Sequence, residues 1–346
     1  MSAACTEIRL EESAHAALRR EVAAFARPSL RRALWQVATS FGPLLLVLTG
    51  MYCSLGISYA LTLGLTLLAA GFVVRVFIIQ HDCGHGAFFR ARRANAVLGC
   101  LCSLLTLTPY ALWRRQHAGH HGNWNNLDRR LSGADIYSTC LTTMEYRALS
   151  PGGRWRHRLV QHPVMALLLL PPLVFLVLFR LPFDTPGEWK SERRWVYGTN
   201  LALAAFYAGL GFALGFRAVL LVQLPVSMIA SVFGVWLFSL QHRFEHALWA
   251  RRDVWAHVDA ALHGSSYLHL PRVLQWFTGN IGFHHIHHLN SRVPNYRLQA
   301  CFDAVPRVRA VPRLTLRSGL HAFRYGLWDE DRARMVRFRD ARLPGG

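Results

Sequence analysis

Lysine is almost absent from this chain of 346 residues: of 39 basic side chains one is lysine, Lys190, and the other 38 are arginine. Acids are scarce too, 19 in all, which leaves a formal net charge of +20. Only 17% of the residues are charged while 52% are hydrophobic, and that balance excludes a disordered chain. Seven scattered cysteines, odd in number and without a C-x-x-C pair, exclude a disulfide scaffold and a cysteine-held iron–sulfur centre. They suit a reducing compartment. Charge of either sign is missing altogether from Ala33 to Val74, and again from Trp195 to Phe216 and from Ala218 to Gln241. So basic a chain would suit a nucleic-acid binder. The uncharged runs point instead to a membrane protein whose arginines serve lipid headgroups and topology, with no nucleic-acid partner.

A crossing helix needs ~20 apolar residues. The run from Ala33 holds two, turning at Ser54-Leu55-Gly56 and ending near Ile79, with Arg75 close enough to an interface to snorkel. The later runs form a second hairpin around Arg217. Spans are therefore expected at about 34–54, 57–79, 196–215 and 218–240. Two weaker segments lie between the hairpins: Ala94 to Trp113, which contains Pro109, and Pro163 to Phe179, which contains Pro171-Pro172. Arginines crowd residues 1–32, 90–93, 114–158 and the region after Cys301. All of these reach one side only if the two hairpins cross and the weak segments do not. The positive-inside rule then makes that side the cytoplasm, with both termini there. Residues 1–32 have no apolar core that would read as a secretory signal.

Histidine carries the chemistry. Of eighteen histidines, eight stand at metal-ligand spacing in three short boxes at 81–85, 117–121 and 284–288. The first is His81-Asp82-Cys83-Gly84-His85. The second, His117-Ala118-Gly119-His120-His121, and the third, His284-His285-Ile286-His287-His288, both contain H-x-x-H-H. Side chains three and four apart share a helix face, so each box can aim its imidazoles at one point. Eight are too many for one tetrahedral or octahedral shell, so two metals are expected. The boxes can meet only on one side of the bilayer, which the charge-derived topology also requires.

The sequence His-Asp-Cys-Gly-His-Gly at 81–86, with the other two boxes, resembles the membrane-bound fatty-acid desaturase superfamily. It is most similar to bacterial acyl-lipid desaturases of the omega-6 (Δ12) type. Trp276-Phe277-Thr278-Gly279-Asn280-Ile281-Gly282-Phe283, Leu289, Val293-Pro294-Asn295-Tyr296-Arg297-Leu298 and Asn126-Leu127-Asp128-Arg129-Arg130 carry the likeness, which spans roughly residues 34–302. It implies an all-α integral membrane fold: four transmembrane helices in two hairpins, two re-entrant or interfacial segments, and a cytoplasmic helical cap carrying a di-metal site. It implies a reaction that places a C=C bond in an acyl chain using O₂ and two electrons. It also implies metal ligands His81, His85, His117, His120, His121, His284, His287 and His288. His242 in the pair Gln241-His242 would be a ninth, and His285 is off the pattern.

Zinc has no redox chemistry, so O₂ activation favours two iron ions. Asp82, Asp128, Asp135 and Glu245 are candidates to accept the second ring N–H of a ligand. His246, His257, His263 and His269 are expected outside the site, and Trp113, Trp124, Trp236 and Trp276 could line an acyl tunnel. No His-Pro-Gly-Gly of a fused cytochrome module occurs, so a separate carrier, a ferredoxin, is expected. Arg307, Arg309, Arg313 and Arg317 could dock it or anionic headgroups. The expected partition is an N-terminal cytoplasmic segment, 1–32, a membrane desaturase domain, 33–302, and a basic cytoplasmic tail, 303–346, in a protein of the cytoplasmic membrane. Two alternatives stay open: a hydroxylase or ketolase on the same scaffold, and a histidine-rich metal transporter. The second is disfavoured because the spans hold no charge but Arg75.

Overall fold

The computed structural model describes the backbone of residues 3–130 and 140–341, and side chains from residue 12 onward within those ranges. Asp135 lies outside the described residues. The chain opens with helix α1, Ala3–Ala23, then forms α2, Leu30–Ser54, and α3, Tyr59–Gly84. The turn between α2 and α3 is closed by the amides of Ile57 and Ser58 on the Ser54 carbonyl, 3.0 and 2.9 Å. A buried hydroxyl pair, Ser54 and Thr62 at 2.8 Å, joins the two helices beside it.

Next come α4, Arg92–Thr106, and α5, Tyr110–Asn123, which meet at 102°. Three causes fix that break. Leu107 sits in the left-handed region at φ 57, Pro109 cannot donate, and Gly99 lets the ring of Tyr110 fold back on α4. A Cβ at Gly99 would stand 2.4 Å from that ring. Backbone groups freed by the break find partners in other elements. Gln80 of α3 donates to the Thr108 carbonyl at 3.2 Å and accepts from the Thr106 hydroxyl at 2.6 Å. Tyr207 donates to Leu104 at 3.3 Å, and Arg180 donates to Leu107. A broken helix survives in an apolar surround only when its orphan groups are satisfied in this way.

Strand β1, Leu141–Thr142, leads into α6, Thr143–Ala148, which has a capping box between Thr142 and Glu145, and then α7, Pro151–Gln161. A π-turn and α8, Leu170–Leu176, follow, with a 54° bend relative to α7. Helices α9, Lys190–Leu214, and α10, Phe216–His242, are joined by Gly215 alone. Its φ of +88 is one that a side chain would strain.

Four helices, α2, α3, α9 and α10, are long and apolar enough to cross a membrane. The chain is thus a mostly helical, multi-pass membrane protein. Helix α3 is the inner one: 61% of its apolar window is buried, against 17% for α9. It packs on α2, α4 and α10. Its second half, from Phe72 to Cys83, is enclosed almost all round, as expected of a helix apolar on every face. Arg75 is buried there too, its guanidinium stacked 3.8 Å from the Trp276 ring and donating to that residue's carbonyl. Local pairing with an indole, rather than reach to a headgroup, accommodates its charge.

The remaining elements form the cap: α11, His257–His263, β2, Tyr267–Leu268, α12, Arg272–Phe277, α13, His284–Leu289, and α14, Asn295–Ala304. Then follow β3, Arg313–Leu314, α15, Leu316–Ala322, β4, Leu327–Asp329, and β5, Arg334–Val336. Parallel pairs β1–β4 and β2–β3 and the antiparallel pair β4–β5 add short sheets to the helical design. Residues 303–341, expected only as a basic tail, are folded onto the cap. Leu327, Trp328, Met335 and Val336 are buried, and the arginines between them hide that pattern in the sequence. Leu18 and Val22 of α1 share a core with Ile286 and Leu289 of α13 and Leu240 of α10. The cap and the crossing helices therefore have no separate interiors.

Candidate metal centre

Each box occupies a helix, and the helix sets its aim. His81 lies on the last turn of α3 and His85 caps it, so box one continues the inner helix rather than following it. His117, His120 and His121 project from α5 beyond the 102° break, which turns them back toward α3. Box three is α13 itself, six residues long and buried throughout. His242 ends α10. The nine side chains converge from these four elements.

They converge as two sets. His81, His85, His117, His121 and His287 each offer a nitrogen, all within 4.8 Å of one another, and His120, His242 and His288 do the same. His284 adjoins the second set, its Nε2 2.9 Å from that of His242 and 3.1 Å from that of His288. His120 and His288 are 3.3 Å apart, His117 and His121 3.1 Å, and His121 and His287 3.0 Å. Such spacings fit a metal shell. With metal–imidazole bonds of ~2.0–2.1 Å, neighbouring ligand nitrogens stand ~3.0 Å apart in an octahedron and ~3.4 Å apart in a tetrahedron. The two sets touch where the rings of His121 and His288 stack at 4.2 Å.

Electrostatics prepare the rings for the same task. Burial, reinforced by neighbouring imidazoles, holds His85, His117, His121, His284, His287 and His288 well below the ordinary imidazole range. His120 is lowered to about 3 by burial and then by His81. Neutral rings keep a lone pair free, and only a deprotonated nitrogen binds a metal. The residues present fit metal ions: an all-nitrogen donor set, buried or half-buried and free of acidic side chains.

His285 is fully buried but faces away, against Tyr267 and Phe302, and stands in neither set. His246, His257, His263 and His269 also lie outside both. Among the acids of the described residues, Asp82 alone meets a box ring: its Oδ1 is 3.3 Å from His81 Nδ1. Asp128 is held by Arg251 and the Arg252 amide, and Glu245 by Tyr325 and Arg334. Arg307 faces Glu21 at 3.8 Å and Arg309 donates to the Phe302 carbonyl, both at the exposed surface.

An apolar cleft of about 1420 Å³ of empty volume, partly open, reaches these rings. His81, His117 and His284 are among its lining residues, as are Val73 of α3 and Ser227 of α10. From Val73 to His81 along α3 is ~12 Å at the helical rise. Phe77, Phe175, Phe179 and Phe238 line the walls, while Gln116 and Asp184 add polarity. Of the four tryptophans expected to line a tunnel, Trp113 does so. Trp124 instead packs on His242, His120 and His288, with centroids 4.0, 4.8 and 5.8 Å away. Sequence reasoning passed over Phe238, 4.7 Å from His242. Asn295 belongs to the family-like segment 293–298, and the sequence alone assigns it no role. Phe238 stands four residues before His242 on α10, so helical spacing puts the two on one face, whereas nothing in helical spacing marks Asn295.

The fatty acid desaturase family model matches residues 57–318. The chain belongs to the fatty acid desaturase family. A "Fatty acid desaturase" of Bacillus subtilis (strain 168) is 43% identical over 93% of this chain and 90% of its own length. The "sn-1 acyl-lipid omega-3 desaturase (ferredoxin)" of Synechocystis is 29% identical, over 66% of this chain and 63% of that one. The "sn-1 oleoyl-lipid 12-desaturase" of Picosynechococcus is 26% identical, over 74% and 72% respectively. This desaturase is thus an oxidoreductase of acyl chains, with histidine clusters able to bind metal beside an apolar cleft.

Proposed function

We propose that this desaturase inserts a double bond into acyl chains of membrane lipids, using O₂, two iron ions and electrons from a separate ferredoxin. One observation carries the reading: two adjoining sets of buried and half-buried histidines stand side by side, and His81, His117 and His284 from them line an apolar cleft. Iron bound there supplies the redox chemistry that removes two hydrogens from an unactivated acyl chain. His81, His85, His117, His121 and His287 hold one ion, and His120, His242, His284 and His288 the other. The chain's own residues do the rest. The phenylalanine walls bind the alkyl chain and exclude water, and Trp113 limits where it can lie beside His117. The printed names of relatives support an acyl-lipid substrate and a ferredoxin donor.

Four crossing helices are assigned to α2, α3, α9 and α10, and the bent pairs α4–α5 and α7–α8 are assigned as re-entrant. Exposed arginines around residues 90–93 and 114–115 and throughout the cap support a cytoplasmic location for the site. The test is gas chromatography–mass spectrometry of lipids from a host expressing the chain. New unsaturated chains are expected with wild type and none with His287→Ala. Hydroxylated or oxo chains instead, or identical profiles for both proteins, would overturn the reading.

A further inference from the structure

We propose that Asp82, fixed by Asn295, makes the two metal positions unequal, so that the five-histidine position holds its ion more tightly than the four-histidine one. This rests on the two-metal reading above and adds to it two positioning residues, Asp82 within box one and Asn295 outside every histidine box. Among the described residues His81 is the one box ring whose other nitrogen meets a carboxylate, Asp82, itself 1% exposed. The buried Nδ1 atoms of His117, His120, His121, His242 and His284 have no partner among the described residues. A carboxylate behind a ligating imidazole fixes its tautomer and orientation and raises its basicity. One position therefore gains both an extra ring and a backed ring.

Asp82 can do this only if its carboxylate is aimed, and Asn295 aims it. Asp82 Oδ2 accepts the Asn295 backbone N–H at 2.7 Å and its side-chain N–H at 2.8 Å, across 213 positions of sequence. Both bonds go to one oxygen, which leaves Oδ1 for His81. The Asn295 corner is itself pinned. Asn280 donates to the Asn295 carbonyl at 3.3 Å, and Tyr296 donates to the Phe88 carbonyl at 3.0 Å while accepting from the Ser29 amide at 3.0 Å. Chain that follows box three thus orients a ligand in box one.

The experiment uses the full chain in detergent, loaded with ferrous iron without oxygen and challenged with excess chelator while release is followed by absorbance. Wild type should lose two ions in two phases of equal amplitude. Asp82→Asn and Asn295→Ala should speed the slow phase ~10–100-fold and leave the fast phase unchanged. His284→Ala should alter the fast phase alone. Asn295→Ala keeps the backbone donor and carries the test if Asp82→Asn does not fold. Melting of the metal-free proteins separates positioning from fold damage. A slow phase unmoved in both variants, both phases accelerating together with a fall in that melting temperature, or a single phase in wild type would overturn the inequality. Wild type that binds fewer than two ions would overturn the two-metal reading itself.

Discussion

The indole of Trp113 lies flat against the imidazole of His117, with ring centroids 4.6 Å apart and planes 17° from parallel. Trp113 and His117 both line the apolar cleft, and His117 belongs to the five-membered set. The tryptophan is therefore placed to decide which methylene comes closest to the metal.

Trp113→Ala should leave metal content near the wild-type value and lower turnover ~10–100-fold, because small displacements at a reacting centre cost rates of that order. Gly84→Ala presses on the same indole from behind, its new Cβ 2.8 Å from the ring, and should act in the same direction. Product analysis beside metal quantitation checks both. Equal turnover in wild type and Trp113→Ala would remove the indole from this role.

Two buried histidines at opposite ends of the expectation separate ligand from packing. His242→Ala should hold one ion fewer per chain than wild type and be inactive. His285→Ala should keep the full complement, since its ring packs on Tyr267 and Phe302. Metal counting on purified proteins distinguishes them, and an equal loss in both would dissolve the two-set arrangement.

Gln80→Leu should destabilise the fold without touching a histidine. Gln80 is fully buried, and its loss strands the Thr108 carbonyl and the Thr106 hydroxyl at the α4–α5 break. Each buried group left without a partner costs about 1–3 kcal/mol. A lower melting temperature in detergent is expected. No shift would mean that the break is held by Arg180 and Tyr207 alone.

Acid should destabilise the metal-free protein. His117, His284 and His288 have folded pKa values depressed by burial, so the unfolded chain binds more protons once pH falls below its own imidazole value of ~6.5. Stability is then full above that pH and lost progressively below it, toward the folded values. Bound metal, which competes with protons for the same nitrogens, should move the loss to lower pH. Melting temperatures with and without chelator, across about pH 8 to 5, test the sign, and a flat profile for the metal-free protein would refute it.

Legibility followed range of interaction. Spacing within each box, i and i+4 or i, i+3 and i+4, is a local property, and the helices carry it as the one-dimensional pattern requires. Gln241-His242 was marked only by family likeness. Asn295 is invisible as a partner of Asp82 because it acts across 213 positions through a contact that no period encodes, whereas Phe238 shares a face of α10 with His242 and becomes legible once His242 counts as a ligand. Arg75 misled for a related reason: an arginine near a span end reads as a snorkelling side chain until Trp276 is brought over it from the cap. The buried apolar positions of 327–336 were masked by surrounding arginines, and short strands give almost no periodic signal.

By itself the sequence determined where helices can cross a membrane, which imidazoles share a helix face, and that those imidazoles outnumber the places around one ion. Composition and spacing act over a few residues, and a chain carries such information directly. Only the tertiary structure decided how nine rings divide into five and four, which wall of the cleft meets them, and which carboxylate stands behind His81. Those outcomes depend on the bend at Leu107, the close approach at Gly99 and the bonds from Asn295 to Asp82. Each joins segments that the sequence leaves independent until packing sets their distance and angle.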